Sequence, residues 1–179
     1  IYGVIIGIIL SFIAVVLKAT TPPRAFLGVI PGREGFYDCS KNRYAHEIEH
    51  VVIYRFSESL FFANVKTFQQ DIENSIKEDT KVVIVDAGAM TGIDITAADR
   101  LEMMCARFEK QGIHFYLTEH MASVNDQMRR LGIGHLIEKG NVRRTITAAL
   151  HDSGYIEPYV LKGYNVHKRG HMINIPAET

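Results

Sequence analysis

The residues best placed to do chemistry lie in one stretch, Lys81 to Leu101, KVVIVDAGAMTGIDITAADRL. Asp86 closes an apolar run, and Asp94, Ile95 and Thr96 follow a short Ala/Gly/Met/Thr loop. A carboxylate at such a junction could serve as a base, and a threonine hydroxyl could take a phosphate. Each role has a plainer counterpart. Asp86, at the end of a strand, more often caps a loop than abstracts a proton. Asp94 can orient the loop by accepting from backbone N–H groups. Thr96, followed by Asp99, reads as a helix start, its hydroxyl accepting from orphan N–H groups while the acid complements the positive helix end. Thr96 is therefore expected to be the helix cap.

Other reactive side chains form no constellation. Ser57 and Ser59 flank Glu58 without the G-x-S-x-G elbow of a nucleophilic serine. Cys39 and Cys105 match no metal spacing, and Cys105 falls on an apolar helical stripe, which predicts low reactivity. His46 and His50 have the spacing of metal ligands on a helix but no third ligand, and read as a solvated polar segment. Gly88 and Gly92 belong to no GxxxxGK[ST] or GxGxxG motif. No catalytic residue, metal site or cofactor site is expected. Phe61 and Phe62 are candidate docking aromatics. In an extended segment they would point to opposite sides, one toward the core and one outward, or both be buried if the segment is covered on both faces.

The elements that must position these residues follow from periodicity. Val82 to Val85 is a continuous aliphatic run and predicts a fully buried strand. Strands are also expected at Arg24 to Ile30, stopped by Pro31-Gly32, at Val51 to Phe56 and at Ile113 to Leu117. Arg33 to His50 reads as polar and irregular. Asn64 is expected to cap a helix over Val65 to Glu78, with Val65, Phe68, Ile72 and Ile76 inward. A second helix carries Ala97, Leu101, Met104, Cys105 and Phe108 inward and stops at Gly112. A third spans Met121 to Leu131, and Asn141 is expected to cap a fourth that ends at Gly154. Strands alternating with helices imply a mostly parallel sheet.

Ile1 to Leu17, IYGVIIGIILSFIAVVL, has no charged residue and is long enough for the end of a membrane helix, the alternative being a buried helix of a soluble fold. It lacks the basic n-region and cleavage site of a signal peptide. Lys18 and Arg24 follow it, a weak vote for a cytoplasmic exit, and Thr20 to Pro23 are expected to break the helix. The chain starts at Ile1 rather than Met, which suggests a piece of something longer. Its formal net charge is 0, so nothing points to nucleic acid.

These pieces together carry a family resemblance. An apolar helix, then TPPRAFLGVIPG, VVIYRFSESLFFANVKTF, VVIVDAGAMTGIDITAADRLEMM and GIHFYLTEHMASVNDQMRRLG resemble the C-terminal end of a SulP-type anion transporter (sulfate permease). That family ends in a cytoplasmic STAS domain. The resemblance implies an α/β STAS fold, a small mixed, mostly parallel β-sheet with helices packed on it. It implies residues 1–17 as the end of the last transmembrane helix, 18–23 as linker, 24–152 as the STAS domain and 153–179 as a C-terminal extension, expected to be partly disordered. The implied role is regulation or assembly of a secondary transporter of sulfate, bicarbonate or dicarboxylates in the cell (inner) membrane. Implied partners are the transmembrane domain of the same transporter, a second copy in a homodimer, and a cytosolic protein. Two other readings remain open: a soluble or singly anchored switch like the anti-sigma-factor antagonists, and a nucleotide-binding sensor. In the antagonists a phosphorylated serine directly follows the loop aspartate. Here that position is Ile95, which has no hydroxyl, so the Asp86, Asp94, Ile95 and Thr96 loop is read as a docking surface.

Overall fold

The computed structural model describes residues 1–155. Eleven elements follow in chain order: α1 (Tyr2–Thr20), β1 (Arg24–Ile30), β2 (Arg33–Asp38), β3 (Val51–Phe56), α2 (Val65–Ser75), β4 (Val82–Asp86), α3 (Ile95–Lys110), β5 (His114–Thr118), α4 (Ala122–Arg130), α5 (His135–Glu138) and α6 (Ile146–Asp152). The strands form one sheet in the order β2-β1-β3-β4-β5. β1 is antiparallel to both its neighbours, and β3, β4 and β5 are parallel.

Strand parity explains why β4 is apolar throughout. Val83 and Val85 point into the core beneath α2, α3 and α4, with Phe56, Phe68, Met104, Phe108, Phe115 and Leu117. Val82 and Ile84 point to the other face, where Ile53, Tyr116 and the α6 residues Ile146, Ala149 and Leu150 cover them. A central strand covered on both faces has no solvent side to make polar. α2 lays its Val65, Phe68 and Ile72 stripe on the sheet, and α3 does the same with Ala97, Leu101, Met104, Cys105 and Phe108. Gly112 (φ 71°) and Gly132 (φ 85°) close α3 and α4 in left-handed turns, each followed by an isoleucine whose N–H returns to the last turn of the helix.

Several expectations are corrected. Arg33 to Asp38 is a strand, not irregular chain: Pro31-Gly32 folds it back onto β1, and its half-exposed edge position removes the apolar alternation that would have marked it. α2 ends at Ser75 rather than Glu78. Asn141 caps no helix. Its side chain donates to the Phe115 carbonyl at 2.9 Å, Val142 pairs with Leu117, and Thr145 caps α6 by accepting from Ala148 N–H. The short helix α5 was not anticipated. Thr20 and Thr21 do not break α1. Their hydroxyls donate to the Leu17 carbonyl, the helix runs to Thr20, and Pro22-Pro23 end it. The expected extension 153–179 falls, past Tyr155, outside the described residues.

α1 buries none of its residues, yet its exit is fastened. Thr67 of α2 donates its hydroxyl to the Thr20 carbonyl at 3.4 Å, and Ser57 N–H donates to Pro23 O at 3.0 Å. Arg24 forms an ion pair with Asp71 of α2. The same carboxylate accepts from the hydroxyl of Tyr54 at 2.7 Å. Tyr54 is fully buried, and burial together with the Asp71 carboxylate pushes its phenol well above the usual range.

Candidate functional site

Asp86, the last residue of β4, is 5% exposed. One oxygen accepts from Gly88 N–H at 3.0 Å and turns the loop. The other accepts from Arg55 Nε at 2.7 Å. Arg55 is in register with Asp86 on β3, so strand pairing sets up the ion pair. With both oxygens engaged, Asp86 has the environment of a structural anchor.

The loop beyond it is tied down along its length. Met90 is fully buried beneath it. Ser59 and Thr91 share a hydroxyl–hydroxyl bond of 2.6 Å, and Leu60 pairs with Ile93 in a parallel bridge. Ile93 N–H donates to Gln127 of α4 at 2.7 Å. Asp94 then closes the assembly: one oxygen accepts from Ala97 N–H at 2.8 Å, the other from Phe62 N–H at 2.9 Å. The two loops that lead into α2 and α3 are thus stitched together side by side.

Asp94 is therefore the cap of α3, and Thr96 is not. Asp94 has the extended backbone of a cap residue (φ −88°, ψ 173°) and reaches the amide three residues on. Thr96 already lies inside the first turn, where its hydroxyl cannot take that position, and it is exposed. Ile95, the first residue of α3, is 63% exposed.

Phe61 and Phe62 also differ from expectation. The chain turns here instead of extending: Phe61 O accepts from both Asn64 N–H and Val65 N–H. The rings consequently lie close, 5.5 Å apart and edge-on, rather than on opposite sides. Phe61 is half-buried and Phe62 is 70% exposed. Asn64 precedes α2 as expected, but its buried side chain holds the turn, accepting from Phe61 N–H and donating to Ser59 O.

Sequence reasoning missed Arg55, Gln127 and the Ser59–Thr91 pair. Their partners are 31 to 34 positions away: strand register brings Arg55 to Asp86, and the packing of the loops and α4 at the strand ends brings the others together.

The clefts offer little to a ligand. One of about 400 Å³ at the ends of the parallel strands is lined by Arg55, Asp86 and Glu119. Its cation is engaged by Asp86, and its carboxylates would repel a phosphate. Another, of about 640 Å³, lies between α3 and α5, where Glu102 meets His135 at 3.1 Å and Glu109 meets Lys139 at 3.7 Å. Cys105 beside it is buried, which pushes its thiol up to about 12. His46 bridges to Val29 and His50 sits in a turn at φ 65°, so the two do not share a helix. Among the described residues no three His, Cys, Asp or Glu side chains converge on a common point.

This strand-loop-helix junction lies within a segment that a known family model matches. The family model described as "STAS domain" matches residues 42–149. The chain belongs to the STAS family. Its relatives are of the sulfate-transporter type. A probable sulfate transporter of Mycobacterium tuberculosis is 24% identical over 152 residues, covering 83% of this chain and 27% of that protein. The probable sulfate transporter 3.4 of Arabidopsis thaliana is 26% identical over 161 residues, covering 84% and 25%. This STAS chain thus spans about a quarter of the length of these relatives. In fold it is similar to the murine Slc26a9 anion transporter in the inward-facing state, with a TM-score of 0.75, 21% identity, and coverage of 85% of this chain and 25% of that one.

Proposed function

We infer that this chain is the regulatory and assembly STAS domain of a SulP-type secondary anion transporter, carrying the end of its last membrane helix. The observation that carries the reading is the direct fusion of a STAS domain to α1. That helix has 19 residues, a mean hydropathy of 2.4 and no side chain buried in the domain. At about 28 Å it approaches the hydrocarbon thickness of a bilayer. Lys18 and Arg24 at its exit favour the cytoplasmic side of the cell membrane. The domain is non-enzymatic. Its partners are the membrane-embedded part of the same transporter, a second copy in a dimer, and a cytosolic protein. The transported ion is a small anion of the sulfate, bicarbonate or dicarboxylate class.

In this reading the Asp86–Thr96 loop and the Phe61-Phe62 turn form a docking surface. The loop carries Ile95 where a phosphoacceptor would stand, and Asp94 already spends both oxygens on backbone amides. The test is anion uptake into proteoliposomes by the full-length transporter, with and without the residues after Arg24. A loss or altered regulation of uptake on truncation is expected. Identical uptake, rate and dimer content would overturn the role.

One observation favours a second reading. The Thr96 hydroxyl is exposed at a helix start, where a phosphate would meet the positive end of the dipole. Stoichiometric phosphorylation of Thr96 by a cognate kinase, read by intact mass, would establish a switch in place of a passive dock.

A further inference from the structure

β3, β4 and β5 all finish at one end of the sheet, and the helices that follow them, α2, α3 and α4, all begin there. α1 departs from that same end. Arg24 pairs with Phe56, the last residue of β3, Pro23 accepts from Ser57, and Thr20 accepts from Thr67 in the first turn of α2. Outside α1, the large apolar side chains exposed among the described residues are Phe62, Ile95, Met103 and Met121. Three of these four stand at this end: Phe62 in the turn into α2, Ile95 first in α3, and Met121, 48% exposed, just before α4. Asp94 ties the Phe62 turn to the start of α3, and Gln127 of α4 accepts from the neighbouring Ile93 N–H, so the three helix starts stand side by side in a row.

We propose that this row meets the lipid–water boundary of the membrane that α1 enters, with Phe62, Ile95 and Met121 each inserting at headgroup depth. The proposal rests on α1 being a membrane span, and it names what the docking surface touches. A helix of about 28 Å nearly fills a hydrocarbon core of about 30 Å, so the last turn of α1, with Lys18, lies at headgroup level. The Thr67–Thr20 bond holds the start of α2 at that same level. The three side chains stand singly at separate helix starts, and the four clefts seen among the described residues are lined by other residues. Isolated apolar points along a row suit a planar, deformable medium. A protein partner that anchors on such points would need a matching pocket for each. Lys66, exposed in the first turn of α2, and Lys18 offer cations to lipid phosphates. Glu58 and Glu119 share this end, so apolar contact carries the association rather than net charge, and zwitterionic lipid suffices.

The chain contains no tryptophan, so a single introduced indole reports alone. The full chain is reconstituted in phosphatidylcholine vesicles as F62W, I95W, M121W and M103W. Met103 lies farther along α3, about 12 Å from Ile95. F12W, within α1, reports the span. Each variant replaces an exposed apolar side chain, so the fold is kept. Expected are blue-shifted emission and quenching by brominated phosphatidylcholine at positions 62, 95 and 121, with neither at 103. A quenched F12W beside unquenched, red emission at 62, 95 and 121 overturns the proposal and leaves the span standing. Blue-shifted but unquenched emission at the three positions assigns the surface to a second copy of the chain and also overturns it. Quenching at 103 equal to that at the other three removes the assignment to this end. An unquenched F12W overturns the span, and the proposal with it.

Discussion

The carboxylate of Asp94 and the backbone N–H of Phe62 meet at 2.9 Å across 32 positions of sequence. Since the other oxygen of Asp94 caps α3 at Ala97, one side chain both starts a helix and holds the neighbouring loop. Asp94→Ala should therefore cost about 2 kcal/mol, a cap plus a charge-assisted bond. Thr96→Ala should stay within about 0.5 kcal/mol, as for an exposed residue without a structural task. Denaturant unfolding of the full chain in detergent micelles separates the two. Equal losses would return the cap to the threonine.

Arg55 and Asp86 test how far strand register fixes the loop. Arg55→Met leaves a buried carboxylate with the Gly88 amide alone, and should destabilise by about 1–2 kcal/mol. The cost stays below that of a fully buried pair because the Arg55 side chain is 44% exposed. Asp86→Asn keeps an acceptor for Gly88 and should cost less. The double variant should be more stable than the sum of the two losses predicts. Strict additivity would mean that the pair does not interact.

The two thiols should differ in reactivity. Burial holds Cys105 at about 12, and burial also raises Cys39, which is only half covered. At neutral pH, N-ethylmaleimide should add once to the folded chain, slowly and at Cys39, and twice in denaturant. Native labelling of Cys105 would show that α3 opens from the sheet.

His120 supplies a pH dependence. Burial lowers its pKa below the ordinary 6.5, against smaller opposing contributions from Asn125 and Glu119. The folded state therefore binds a proton less readily than the unfolded one. Stability should be full above about 6.5 and decline as pH falls below it toward the folded value. The difference between wild type and His120→Gln, followed by unfolding at several pH values, should narrow on acidification. A gap that widens on acidification would reverse the sign.

Gly28 fixes the packing of β1. A Cβ there would lie 2.4 Å from the His46 carbonyl oxygen and 2.7 Å from Cys39 Sγ. The oxygen belongs to backbone that also bonds Val29, so it cannot swing aside. Gly28→Ala should destabilise by about 1–3 kcal/mol, as overpacking does. Thermal unfolding checks it, and an unchanged midpoint would show that the 39–46 segment yields.

The fold was legible where burial forces a pattern. Val82 to Val85 had to be a central strand, and the Phe68/Ile72 and Met104/Phe108 stripes had to be helices. β2 was not legible, because a half-exposed edge strand needs no apolar alternation and takes its conformation from its hairpin partner. At the site, Asp86 and Asp94 stood out as loop organisers from their positions at the strand end and before the helix. Thr96 was misassigned because two residues with cap chemistry lie in one turn, and only backbone geometry decides between them. Phe61 and Phe62 were placed on opposite sides because an extended chain was assumed, where Asn64 instead folds a turn.

The Arg24–Asp71–Tyr54 contact has a mechanical consequence. A helix joined to its domain by a slack tether can spin without turning what hangs from it. Here the shaft ends at Thr20, and four residues later the chain is strand β1, gripped by β2 on one flank and β3 on the other. Asp71 bolts that joint to α2 from outside and to a buried phenol from inside. Torque arriving along α1 is therefore delivered to the sheet as a unit, with little backlash at Pro22-Pro23. In the reverse direction, a protein that seizes the domain acquires a handle on the helix.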